Sequence, residues 1–183
     1  ATIEDTVFAV HGGLARDILA VNQIQKIDRK KDDVPNQGPM CDLLWSDPEQ
    51  GDGWRPNPRG YGCLFGPSEV EEFLYVNGFE LFARAHQMFP EGYREMFDRM
   101  LISVWSAPNF CGKCHNQGAV MALDENCQPK ITVFDSSPIL NKNLTNRPQV
   151  PFMKLFEDAY KAQPRKQSSG ANFSFPSKPA PAK

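Results

Sequence analysis

Two histidines and one arginine stand out by residue type and setting. His11 follows the apolar run Val7-Phe8-Ala9-Val10 and precedes Gly12-Gly13. His86 lies in Arg84-Ala85-His86-Gln87, just after the apolar stretch from Phe79 to Ala83. Arg59 sits in Pro58-Arg59-Gly60, inside a segment rich in Gly, Pro and Asn. A neutral imidazole at a strand end is a common ligand of a transition metal, and carboxylates or an Asn amide would complete the shell. A planar guanidinium matches two phosphate oxygens at once. Together these groups describe metal-assisted phosphoester hydrolysis. In that chemistry two metal ions about 3.5–4 Å apart bridge a water, lower its pKa and clamp the attacking and leaving oxygens. Each residue also has a plainer reading: His11 as a structural histidine beside a Gly-Gly turn, Arg59 as a solvent-facing loop residue.

The elements that must position these groups read as follows. Val7 to Val10 and Phe79 to Ala83 are short apolar strands that would carry the two histidines at their ends. A third strand, Leu101-Ile102-Ser103-Val104-Trp105, gives way at once to Ser106-Ala107-Pro108-Asn109-Phe110-Cys111. Pro108 cannot donate to a sheet ladder, so a buried strand delivers a surface loop at a fixed place. Ile18, Val21, Ile24 and Ile27 predict an amphipathic helix over 18–29. Residues 32–39 read as a loop, and 50–66 as a long loop with little periodicity, of the kind that is usually functional or mobile. Ser68-Glu69-Val70-Glu71 reads as a capping box with Ser68 at the N-cap, opening a helix that ends at Asn77-Gly78. Residues 91–99 read as a helix or hairpin. Residues 119–123 and 131–134 read as a hairpin turned by Asp124, Glu125 and Asn126. This order predicts a layered α/β or α+β domain over 1–138, not a bundle or a barrel. Residues 139–162 read as an extension with a short amphipathic helix, and 163–183, rich in Pro, Ser, Lys and Ala, as a disordered tail.

The bulk numbers exclude several classes. A chain of 183 residues with 40% hydrophobic content can bury one core of ordinary domain size. A net charge of −2 gives no reason to expect a nucleic-acid partner, and no stretch is apolar enough to span a membrane. Residues 1–10 lack the basic start of a signal peptide. Five cysteines, an odd number in a chain that reads as intracellular, predict free thiols. Cys111-x-x-Cys114 has zinc or redox spacing, but no second pair accompanies it. The start at Ala1, directly before a strand, reads as a sequence entered in mid-domain.

Six motifs then occur in order: Val10-His11-Gly12-Gly13-Leu14, residues 40–48 (Met-Cys-Asp-Leu-Leu-Trp-Ser-Asp-Pro), Pro58-Arg59-Gly60, Arg84-Ala85-His86-Gln87, Glu91-Gly92-Tyr93 and Ser106-Ala107-Pro108-Asn109-Phe110-Cys111. From about Val7 to about Pro138 the chain resembles the C-terminal half of the phosphoprotein phosphatase family of serine/threonine phosphatases, nearest the type 2A, 4 and 6 branch. The resemblance implies a calcineurin-like metallophosphatase fold, a β-sandwich flanked by helices. It implies hydrolysis of phosphoserine and phosphothreonine by a water held between two divalent ions, Mn, Fe or Zn. By position, it implies that His11 and His86 are metal ligands and that Arg59 holds the substrate phosphate. It also implies that Asn109, Phe110 and Cys111 belong to a loop over the active site that meets toxin inhibitors. Cys114 matches a position open to attack on an electrophilic toxin, and Trp54 lines a neighbouring hydrophobic groove.

The departures carry expectations of their own. The family's Gly-Asp-x-His-Gly, Gly-Asp-x-Val-Asp-Arg-Gly and Gly-Asn-His-Glu motifs, with the general-acid histidine and the second arginine, are not among these 183 residues. The chain is therefore expected to supply part of a site and to be inactive without an N-terminal half. Phe110 stands where the family usually has Tyr, and Gly112-Lys113 where the type 2A branch has Tyr-Arg. The terminus Ala180-Pro181-Ala182-Lys183 differs from that branch's Tyr-Phe-Leu, which puts assembly of its usual scaffold trimer in question. Expected partners are the other half of the catalytic domain, regulatory or scaffold subunits and phosphoprotein substrates, in the cytoplasm or nucleus. The competing expectation is a non-catalytic phosphatase-like subunit of a larger assembly. A zinc module at Cys111 and Cys114 is a third.

Overall fold

A computed structural model describes residues 1–137; the expected C-terminal helix and tail lie outside the described residues. Its centre is a five-stranded sheet, ordered β1 (Thr2–Ile3), β2 (Val7–Val10), β6 (Leu81–Arg84), β8 (Leu101–Val104), β7 (Tyr93–Met96). Strands β2, β6 and β8 run parallel, and β1 and β7 close the two edges antiparallel. The three central strands are almost wholly apolar, as strands covered on both faces must be. Alternation then divides their side chains. Phe8, Phe82 and Leu101 face one core, while Val7, Leu81, Ala83 and Ile102 face another.

The first core is aromatic. Phe8 stacks near Phe73, Phe79 and Phe82 with ring centroids 4.9, 5.9 and 5.4 Å apart, and Phe65 stacks on Phe82 at 6.1 Å. Helix α3 (Pro67–Asn77) covers this side with Val70, Phe73 and Leu74. The second core is roofed by the antiparallel hairpin of β9 (Gly118–Leu123) and β10 (Pro129–Phe134), which contributes Met121, Leu123 and Ile131. Two stacked layers of sheet with a helix on the outer face match the layered class expected from the sequence.

Several expectations are corrected. The helix predicted over 18–29 is one turn, α1 (Val21–Ile24). Beyond it the N–H groups of Lys26 and Ile27 bond three residues back, to Gln23 and Ile24, so the chain tightens into turns. The apolar spacing was satisfied by packing of Val21, Ile24 and Ile27 on the first core, which does not require a long helix. The long loop 50–66 contains β4 (Arg55–Pro56) and β5 (Cys63–Phe65), which form a small sheet with β3 (Asp47–Pro48). Two- and three-residue strands are too short to show a period. Ser68 is not the N-cap: α3 starts at Pro67, Gly66 is the cap, and Glu69 is the third helical residue. The Glu69 carboxylate accepts from the Gly66 N–H at 2.9 Å and the Gly53 N–H at 3.1 Å. Gly78 ends the helix in the left-handed region, φ +71°, as its sequence position predicts. Residues 91–99 form the β7 arm of a hairpin. Asp98 and Arg99 both take positive φ, and Met100 N–H donates to Phe97 C=O at 2.9 Å.

Candidate metal and phosphate site

Parallel strands point their C-terminal ends the same way, and that end of an open α/β sheet is where ligands usually bind. His11 follows β2 directly, His86 follows β6, and the 106–111 loop follows β8. The register pairs Val10 with Arg84 and Arg84 with Ser103, so the three chain segments leave the sheet side by side. The sheet thus gathers residues far apart in sequence.

Local backbone geometry turns the two imidazoles toward each other. Ala85 N–H donates to His11 C=O at 3.1 Å, and Gln87 N–H donates to Ala85 C=O at 2.7 Å. His86 is the apex of that tight turn, with φ +61°. A non-glycine residue in the left-handed region is held there by its surroundings, and such residues cluster at functional sites. The His11 and His86 rings lie 5.1 Å apart at 65°, and the Trp45 ring meets His86 edge-on at 5.4 Å. Trp45 ends helix α2 (Pro39–Trp45).

The histidines are kept neutral. Burial, opposed by Asp47 and assisted by Arg59, Arg84 and His11, brings His86 down to a pKa of about 4. His11 keeps one side open to solvent, yet desolvation by its neighbours and the Arg84 charge lower its pKa too. Neutral imidazole is the metal-binding form. Nε2 of His86 is buried and has no protein hydrogen-bond partner. A buried ring nitrogen left without a protein partner is uncommon, and a water or a metal ion is a natural partner for it. The pair therefore fits two nitrogen donors of a divalent metal ion. Among the described residues no group of three or more His, Cys, Asp or Glu side chains gathers where it could hold a metal ion.

Beneath the histidines lies an ion network that sequence reasoning assigned no role. Asp47 is buried and accepts from Arg84 Nη2 at 3.0 Å, Arg59 Nε at 2.7 Å and Asn57 Nδ2 at 3.0 Å. Burial pushes the Asp47 carboxyl up, but the two guanidinium charges and the Arg59 and Asn57 hydrogen bonds outweigh it and hold the pKa below the usual carboxylate range. Arg84 is fully enclosed; burial brings it down to about 10, which leaves it protonated at neutral pH. Arg59 is one-quarter exposed, anchored through Nε, with its N–H donating to Asn57 Oδ1 at 2.9 Å. Asp47 and Arg84 were visible only as polar residues inside quoted motifs. For Arg84 the signal was a charged residue at the end of an apolar strand; Asp47 carried none.

The 106–114 loop is braced by a residue the sequence reading did not single out. Asn116 Nδ2 donates to Ala107 C=O at 2.9 Å and Gln117 C=O at 2.8 Å, while its Oδ1 accepts from Phe110 N–H at 2.8 Å. Asn109 and Cys111 sit at φ +45° and +57°, and the Phe110 ring meets Trp105 edge-on at 4.8 Å. Cys111 is half-buried and Cys114 only 3% exposed, so Cys114 is closed to an electrophile in this conformation. All five cysteines are free thiols, as expected. Trp54 packs on Phe65 at 6.2 Å, at the rim of the first core.

Comparison with known proteins agrees with this geometry. The family described as calcineurin-like phosphoesterase matches residues 1–90. The serine/threonine-protein phosphatase 4 catalytic subunit of Candida glabrata is 54% identical over 136 residues, 74% of this chain and 44% of that protein. The protein of the same name from Saccharomyces cerevisiae is 51% identical over 142 residues, 78% of this chain and 46% of that one. A solved S. cerevisiae serine/threonine phosphatase superposes with a TM-score of 0.66 at 28% identity, covering 73% of this chain and 45% of that one. The chain thus spans a little under half the length of the curated relatives it matches. With its parallel strands ending in paired histidines, this chain carries a calcineurin-like phosphoesterase match over residues 1–90 and is similar, over about three quarters of its length, to part of serine/threonine-protein phosphatase catalytic subunits.

Proposed function

We propose that this chain provides one side of a metal-dependent serine/threonine phosphatase site. The observation that carries the reading is the buried, unpartnered Nε2 of His86, whose ring lies 5.1 Å from that of His11, together with an arginine fixed by Asp47. His11 and His86 would hold a divalent metal, which when bound activates water and neutralises phosphoryl charge. The chain's own residues do the rest. Arg59 offers its guanidinium to the phosphate of a phosphoserine or phosphothreonine, and Asp47 keeps that guanidinium from swinging into solvent. Trp45 closes one wall against water. The Asn109-Phe110-Cys111 loop, braced by Asn116, stands at the neighbouring strand end and contacts the substrate chain or an inhibitor. Phe110 brings no hydroxyl there, which weakens polar contact with phosphate or toxin. The oxygen ligands, the second arginine and the acid that protonates the leaving group would come from residues outside this chain. Regulatory subunits would then select the phosphoprotein substrates.

The test is metal content and p-nitrophenyl phosphate hydrolysis on natively purified protein, with intact mass of every copurifying polypeptide. About two metals per active complex support the reading. A complex that includes a polypeptide carrying the missing motifs, yet is metal-free and inactive, refutes it and leaves a phosphatase fold used for binding.

A further inference from the structure

We propose that Arg84 is the positioning residue of this site: it locks His11, His86 and Arg59 into one rigid arrangement. The proposal rests on the phosphatase reading above and deepens it. Arg84 touches neither metal nor phosphate; it acts through its neighbours. Its Nε donates to Gly12 C=O, the residue after His11. Nη1 donates to Gln87 Oε1 at 2.7 Å, the residue after His86. Nη2 donates to Ser46 C=O at 3.1 Å and to Asp47 Oδ1 at 3.0 Å. The other carboxylate oxygen of Asp47 holds Arg59 at 2.7 Å. One guanidinium therefore binds four acceptors on three chain segments: two of them adjoin His11 and His86, and the third carries Asp47, which holds Arg59.

A purely structural charge would not need this geometry. The Arg84 side chain has no solvent exposure, so every donor must find a protein acceptor. The Asp47 charge could be balanced by lysine, whose ammonium is a point charge on a flexible stem and cannot span the fork. Replacing a buried ion pair by apolar residues of similar volume is often neutral or stabilising. The presence of a guanidinium here is then explained by what it aligns. Residues that orient metal ligands change metal affinity by about 10–100-fold when removed.

The experiment compares wild type, Arg84→Lys and the double variant Arg84→Met/Asp47→Met as the full purified protein. Three readings are taken: circular dichroism melts for folding, Zn²⁺ binding by calorimetry with the metal alone, and the His86 ring proton signals, which the edge-on Trp45 ring shifts. The expected result is that Arg84→Lys or the double variant stays folded, loses Zn²⁺ affinity by about 10-fold or more, and shows His86 signals moved toward solvent-exposed values. A folded variant with unchanged Zn²⁺ affinity and unchanged His86 signals overturns the proposal. Should wild type bind no Zn²⁺ with its own two donors, the His86 signals alone decide: unchanged signals in a folded variant overturn the proposal, whatever becomes of the phosphatase reading.

Discussion

Gly12→Ala isolates the demand for space behind His11. Gly12 has no positive φ, so alanine is not excluded by backbone conformation. The obstacle is position. A Cβ there would lie 2.4 Å from the Leu44 carbonyl carbon, 2.5 Å from its oxygen and 2.7 Å from Trp45 N. All three are backbone atoms at the end of α2, so no rotamer change relieves the clash. Gly12 is also tethered by its N–H to Leu43 C=O at 2.9 Å and by Arg84 at its carbonyl. Restoring ordinary contact needs a separation of β2's end from α2 by about 1 Å, and overpacking of this kind costs about 1–3 kcal/mol. We expect the upper end, about 3 kcal/mol, because the neighbours are rigid. That is a large part of the roughly 5–15 kcal/mol that holds a domain folded. Gly78→Ala is the control: nothing lies within 4 Å of its Cβ, but φ is +71°, so its cost is the left-handed penalty of about 1–2 kcal/mol. Urea unfolding measures both, with an unchanged slope confirming that midpoints report stability. The reasoning fails if Gly12→Ala loses less than Gly78→Ala, because the steric argument orders them the other way.

Four further outcomes follow from the same coordinates. The Asp47 carboxyl is held below its unfolded pKa by Arg84 and Arg59 despite burial, so its stabilisation is complete above about pH 4 and is lost as pH falls through the folded value; thermal melts from pH 6 to pH 2 should show that loss, and Asp47→Asn should flatten it while lowering stability at neutral pH. Removing the Glu69 carboxylate with Glu69→Ala strips the acceptor of the Gly66 and Gly53 N–H groups and should cost about 1–2 kcal/mol in urea unfolding; no loss would mean the cap is idle. Phe82→Ala empties the centre of the aromatic core and should cost about 3–5 kcal/mol, read the same way. His86→Ala should abolish Zn²⁺ binding seen by calorimetry while leaving the melting temperature of the metal-free protein unchanged or higher, since an unpartnered buried nitrogen is removed.

The sequence alone determined the apolar strands, because a run such as Val7-Phe8-Ala9-Val10 has few places to go except a sheet covered on both faces. It determined the hairpin over 118–134 through its turn residues, and the end of α3 through Gly78, since these are local conformational facts. It also marked His11, His86 and Arg59 by residue type and motif. Tertiary structure decided the rest. A single turn of helix at 21–24 replaced the longer one because packing on the core satisfied the same apolar spacing. The two- and three-residue strands around Arg59 exist only through their pairing partners. Gly66 and not Ser68 caps α3, because a proline at the first helical position fixes where the helix begins. Most of all, the parallel order of β2, β6 and β8 put His11 beside His86, and burial made Asp47 and Arg84 a pair. No spacing along the chain encodes which strand ends meet. That is set by which faces the whole fold can bury at once.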